Sequence, residues 1–92
     1  EPRIVAVGRL VDEQHEPLAN LAFELFRLDR PDEKPLATFT GRSGAFQLPD
    51  LRPGRYEIRP GPEARRESVV VEIPATPDGL HRLGEVVLPG GS

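Results

Sequence analysis

Thr40-Gly-Arg-Ser-Gly-Ala-Phe-Gln-Leu-Pro-Asp-Leu-Arg-Pro-Gly-Arg-Tyr-Glu-Ile58 reads as turn, strand, turn, strand. Gly41 and Gly44 bracket a tight turn, where positive φ is cheap only for glycine. Phe46 and Leu48 then alternate with Ala45 and Gln47, the period of a half-buried strand. Pro53-Gly54 fits the centre of a type II turn, and Tyr56 and Ile58 resume the alternation against Arg55, Glu57 and Arg59. The stretch is either a β-hairpin or two strands that cross between sheets.

Working outward, Ile4–Val11 is a first strand whose two faces are both mostly apolar, with Gly8 marking a bulge or the close approach of a neighbour. Leu21–Leu28 alternates as a second strand. A helix over Leu18–Leu28 also fits a 3.6-residue period, but proline on both flanks limits it to about three turns and the surroundings favour β. Leu36–Thr40 is a short third strand beside Pro35, which has the look of a guarded edge. Ser68–Ile73 carries three consecutive valines, and Leu83–Leu88 closes the domain before Pro89. The Val69–Val71 run is read as core; at an edge it would be the better docking strand, because no proline interrupts it.

About seven short strands at this spacing predict an all-β, seven-stranded Greek-key-like β-sandwich. Its expected core is Val5, Val7, Leu10, Phe23, Leu25, Phe39, Phe46, Leu48, Tyr56, Ile58, Val70 and Val87. A 92-residue chain buries only roughly 60–65% of its unfolded surface, so this core is a single thin layer. Residues 1–89 are expected to form one domain, with 90–92 a linker or tag remnant. Starting at Glu1 without methionine, the sequence is expected to be a piece of a longer protein.

Composition removes several function classes. There is no cysteine, hence no disulfide and no thiolate metal site. A net charge of −3 with interspersed signs lacks the basic patch that nucleic acid requires. Four Phe and one Tyr are few for a stacking platform or a sugar-binding groove, which weighs against a carbohydrate-binding sandwich.

Candidate chemistry is sparse. Ser43, His15 and His81 sit in separate loops with no nucleophile-elbow motif. His15, Glu13 or Glu16 and His81 lack the spacing of any zinc motif, and Asp29, Asp32 and Glu33 lack that of a calcium loop. No catalytic residue, metal or cofactor is therefore assigned, and the chain is expected not to be an enzyme. The residues expected to meet a protein partner are Arg55, Arg59, Arg65, Arg66, Val69 and Val71. Arg55 and Arg59 share one strand face and can pair with acids of an adjacent strand or of a partner.

Val7-Gly-Arg-Leu-Val-Asp12 with Pro17-Leu18, Thr40 with Gly44-Ala45-Phe46, and Leu51-Arg-Pro-Gly-Arg-Tyr56 together resemble the carboxypeptidase regulatory-like, or transthyretin-like, β-sandwich domains. His15 stands where that pattern usually has Gly, and Gly41 where it often has Asp. More narrowly, Phe39–Arg59 with Ile73-Pro74, Asp78-Gly-Leu80 and Leu83–Pro89 resembles the closing stretch of bacterial fimbrial outer-membrane ushers, without the cysteine that such domains often carry. That resemblance implies a non-catalytic domain on the periplasmic side of the outer membrane, attached to a membrane barrel and receiving chaperone–pilin subunit complexes. The alternative is a stalk or accessory domain of an exported or cell-surface protein. Gram-positive sandwiches with a Lys–Asn isopeptide bond are a poorer match, because Lys34 and Asn20, the only residues of their types, lie in a charged loop and ahead of the second strand.

Overall fold

In the computed structural model, which describes residues 3–90, seven strands form two sheets facing each other across one core. They are β1 (Ile4–Val11), β2 (Ala22–Arg27), β3 (Leu36–Phe39), β4 (Ala45–Leu51), β5 (Gly54–Pro60), β6 (Val69–Ile73) and β7 (Leu80–Val87). One sheet runs β4-β1-β7 and the other β3-β2-β5-β6. All neighbours are antiparallel except β1 and β7, the first and last strands, which pair in parallel. The all-β sandwich expectation therefore holds. A short 3₁₀ turn, Pro62–Ala64, interrupts the loop between β5 and β6, where no regular element was expected.

The deciding stretch resolves as two strands crossing between sheets. β4 pairs with β1, whereas β5 lies between β2 and β6. Pro53-Gly54 is not a type II turn: Gly54 has φ of 153° and is already the first residue of β5. Glycine suits this φ, which L side chains rarely adopt, and a Cβ there would also push aside the Asp29 carboxylate, whose Oδ2 would stand 2.6 Å away. Tyr56 fastens the crossing, its hydroxyl donating to the Arg52 carbonyl at 2.7 Å and accepting from the Arg52 N–H at 3.1 Å. This is the corner device by which sandwiches pin a strand to the preceding turn.

The core is built from the inward faces of both sheets. Ile4, Ala6, Leu10, Phe46, Leu48 and Val86 come from the three-stranded sheet, and Phe23, Leu25, Tyr56, Ile58 and Ile73 from the other. Phe23 and Phe46 meet edge-to-face across the gap, centroids 5.7 Å apart. Gly8 makes room for this pair: a Cβ there would lie 2.9 Å from the Phe46 ring and 3.0 Å from the Gly84 carbonyl. Both readings of Gly8 are correct, because the β1–β7 register also slips beside it, between Val7 and Gly8.

Five expected core residues point elsewhere. Val5 and Val7 share the outward face of β1 with Arg9 and are only half-buried, while Ile4 and Ala6 take the inward face. Val87 is exposed and Val86 buried, because the bulge at Gly84, with φ of 67°, shifts the parity of β7. Phe39 and Val70 are 69% and 56% exposed, each opposite an outward residue of its neighbour, Ala22 and Glu57 respectively. Conversely, Thr40 is wholly buried. Its hydroxyl donates to the Leu18 carbonyl and accepts from the Leu21 N–H at 2.8 Å, so one side chain ties the lead-in to β2 to the end of β3.

Gly90 forms an isolated bridge with Arg66, and residues 91–92 of the expected linker lie outside the described residues.

Candidate functional site

Directly opposed residues in antiparallel strands point to the same face, so the register fixes what the outer surface of the four-stranded sheet presents. Phe39 stands beside Ala22, and Ala37 beside Glu24, which faces Arg59. Phe26, Glu57 and Val70 form the next row, and Arg55 faces Glu72. Exposed Phe39 and Val70 thus lie on the two edge strands, three strand spacings apart and offset by four residues along the strands, roughly 19 Å in all. Between them runs a band of alternating charge.

Arg59 organises the centre of this face. Its guanidinium lies 4.0 Å above the Phe26 ring and donates from both Nε and Nη2 to Oε1 of Glu57. Glu57 also accepts from the Ser68 hydroxyl at 3.2 Å. The Arg59 bond first, then that of Ser68, hold the Glu57 carboxyl below its ordinary range. A planar cation stacked on a ring shields Phe26 while leaving a charged lid, so the face is neither fully apolar nor fully hydrated.

The other expected partner residues fall in different places. Arg55 is exposed on the same face as Arg59, and its backbone N–H donates to Asp29 Oδ2 at 3.2 Å. Arg65 is exposed, in the left-handed conformation at φ of 53° after the 3₁₀ turn. Arg66 is turned inward against the chain end, donating to the Leu88 carbonyl at 3.0 Å and to Glu13 at 3.5 Å. Glu13 also accepts from the Gly90 N–H at 2.9 Å, and that bond is the main reason its carboxyl lies below the ordinary range. Val69 and Val71 pack against the core, whereas Val70 between them faces outward. β6 is nevertheless an edge: it pairs with β5 and with no other strand among the described residues. β3, the expected guarded edge, lies at the opposite side of the same sheet.

Hydrolytic and metal constellations do not assemble among the described residues. His15 Nδ1 lies 3.0 Å from Glu85 Oε1, and no three His, Asp or Glu side chains converge to hold a cation. Among the described residues no helix is long and apolar enough to cross a membrane.

No family model matches this chain, and no curated protein does. Solved structures share its fold. A DUF3823 family protein from Parabacteroides merdae aligns over 96% of this chain and 45% of its own, with 20% identity and a TM-score of 0.68. The D312A form of the major pilin subunit of Bacillus cereus aligns over 95% and 30%, at 9% identity and a TM-score of 0.65. A streptococcal ancillary pilin aligns over 94% and 32%, at 17% identity and a TM-score of 0.65. The chain thus spans less than half of each of these proteins. At such identities the likeness is one of fold, a β-sandwich, and the usher resemblance gains no specific support from it.

Proposed function

We propose that this sandwich is a non-catalytic docking module of a larger bacterial surface or pilus-assembly protein, and that it contacts its partner through the outer face of the four-stranded sheet. One observation carries the reading: Phe39 and Val70, 69% and 56% exposed, lie on either side of the Arg59–Glu57 pair on the outer face of the four-stranded sheet. Large apolar side chains framed by charges are the composition of a recognition patch, with the charges setting register and the apolar groups supplying affinity. In its specific form the module is the periplasmic C-terminal domain of a fimbrial usher, receiving chaperone–subunit complexes. The usher-like closing stretch supports that form, and the occurrence of the same fold in pilin subunits is compatible with it. A spacer role is the second reading, favoured by the fold occupying under half of the DUF3823 protein and of the two pilins named above.

The test is site-specific photo-crosslinking in the parent protein in its native membrane or wall. Benzoylphenylalanine at position 39 or 70 is expected to capture a discrete protein partner, and the same probe at Gln47, on the opposite sheet, is not. Capture of a chaperone–subunit pair by an outer-membrane parent whose gel migration shifts on heating supports the usher form. Equal capture at all three positions, or none, defeats the docking reading and leaves the spacer.

A further inference from the structure

At one end of the sandwich the sheets part around an open cleft of about 350 Å³. The end of β4 supplies one wall, and Arg27 of β2 with the approach to β3 supplies the other; Leu25 and Tyr56 line it as well. Its charge runs against that of the chain. Among the described residues Arg3, Arg27 and Lys34 line it with Glu33 and Asp50, and Arg52, which is engaged with a partner of its own, lines it too, in a protein whose net charge is −3.

Two further features single it out. The Arg27 side chain is only 11% exposed and spends Nη1 on Glu33 Oε1 at 3.3 Å. Its Nε is enclosed with no hydrogen-bond acceptor among the described residues. A buried guanidinium N–H without an acceptor is costly, and a carboxylate is the planar partner that fits this fork. On the facing wall Asp50, not a glycine, holds φ of 60° at a break in the β1–β4 register. Its carbonyl accepts from Arg3 Nη1 at 3.5 Å, which brings a second guanidinium to the cleft. Aspartate tolerates this left-handed conformation, and the break in register sets the Asp50 carbonyl beside Arg3.

We propose that this cleft binds a carboxylate, with Arg27 as the fork that grips it and Arg3 and Lys34 as the charges that attract it. The site is separate from the outer face of the four-stranded sheet and does not depend on that face having a partner. A carboxylate can arrive on a free small molecule or on an Asp or Glu side chain of an extended peptide. The chemistry recognised is the same in both cases.

The test is an NMR titration of the 92-residue chain at constant ionic strength, read at the Arg27 Nε–Hε resonance and the backbone amides of Asp50 and Arg52. The probes are acetate, N-acetyl-glutamate amide and a hexapeptide bearing two glutamates, with chloride as the control anion. Saturable shifts confined to the cleft are expected with the carboxylates and not with chloride. Tighter binding of the peptide identifies a protein segment as the source, and equal binding identifies a small molecule. Lys34→Ala, in an exposed loop, is expected to weaken binding about 3-fold, and Arg27→Lys, which keeps the charge but loses the fork, about 10-fold. Arg42→Ala, in the turn before β4 and so at its far end, is expected to change nothing. Shifts that stay linear, that chloride reproduces, or that survive both cleft substitutions overturn the proposal. Because Lys34→Ala leaves the core untouched, a misfolded Arg27 variant does not spare it.

Discussion

Thr40→Val is the most informative single substitution in this molecule. The two side chains have nearly the same shape, and Thr40 is completely buried, so the exchange creates no cavity. It removes one hydroxyl that both donates to the Leu18 carbonyl and accepts from the Leu21 N–H. Each backbone group left without a partner costs about 1–3 kcal/mol, so two of them, offset slightly by the better burial of a methyl, give about 2–4 kcal/mol. A 92-residue domain holds about 5–14 kcal/mol in all, and near 4–8 °C of Tm is lost per kcal/mol at this size. The expected fall is therefore about 8–32 °C. Thr40→Ser keeps the hydroxyl and gives up a methyl, for about 1 kcal/mol. Urea unfolding followed by circular dichroism, with the slope m unchanged, measures both. If Val is less destabilising than Ser, the hydroxyl is not what joins β3 to the lead-in of β2, and the reasoning fails.

Two other predictions rest on backbone and corner geometry. Gly84→Ala places a Cβ in open space at φ of 67° and is expected to cost about 1–2 kcal/mol, the intrinsic left-handed penalty. Gly44→Ala is expected to cost clearly more, about 3 kcal/mol or above, because its Cβ would also meet the Leu10 carbonyl at 2.6 Å; equal losses in parallel urea melts would refute the steric account. Tyr56→Phe removes both corner bonds to Arg52 and is expected to cost about 1–2 kcal/mol. Burial, the largest cause, raises the Tyr56 pKa above its ordinary value, so the folded chain holds that proton more tightly than the unfolded one. Its contribution is full below the ordinary tyrosine range and is lost as pH rises through the raised value. The wild-type–Phe stability gap should hold at neutral pH and narrow in alkali, and a gap that widens would contradict this.

Most of the architecture was legible in residue order, because strands in a thin sandwich advertise themselves by alternation and by turn chemistry. β1 begins and ends where the reading placed it, and the Pro-Gly punctuation located the passage from β4 to β5. Parity was harder. In β6 three identical valines carry no alternation of their own, yet Glu72 shares a face with Val70 and already marks that face as outward. Arg9 does the same for Val5 and Val7 in β1. A single charge is a better guide to strand parity than several apolar residues, because burying an unpaired charge costs far more than exposing a valine. β7 resists even this rule, since the bulge at Gly84 switches the face halfway along the strand.

The candidate surfaces were less legible for a physical reason: the fold alone brings their residues together. Phe39 looks like core by residue type, and only the pairing of β3 outside β2, with Ala22 opposite, turns it to solvent. The cleft is more remote still from the linear order. Arg3, Arg27, Lys34 and Arg52 come from four separate segments and show no spacing that a motif could record. Arg66 makes the converse point. Beside Arg65 it has the appearance of a solvated pair, but the β5–β6 loop carries it to Glu13 and the Leu88 carbonyl, where it serves the fold. Whether an arginine in such a sandwich meets a partner or its own chain is decided by which acceptors the topology brings within reach. By that criterion Arg66 is committed to the chain end, Arg59 is shared between Glu57 and the face of Phe26, and Arg27 keeps a buried Nε with no acceptor among the described residues, the donor on which the proposed carboxylate site rests.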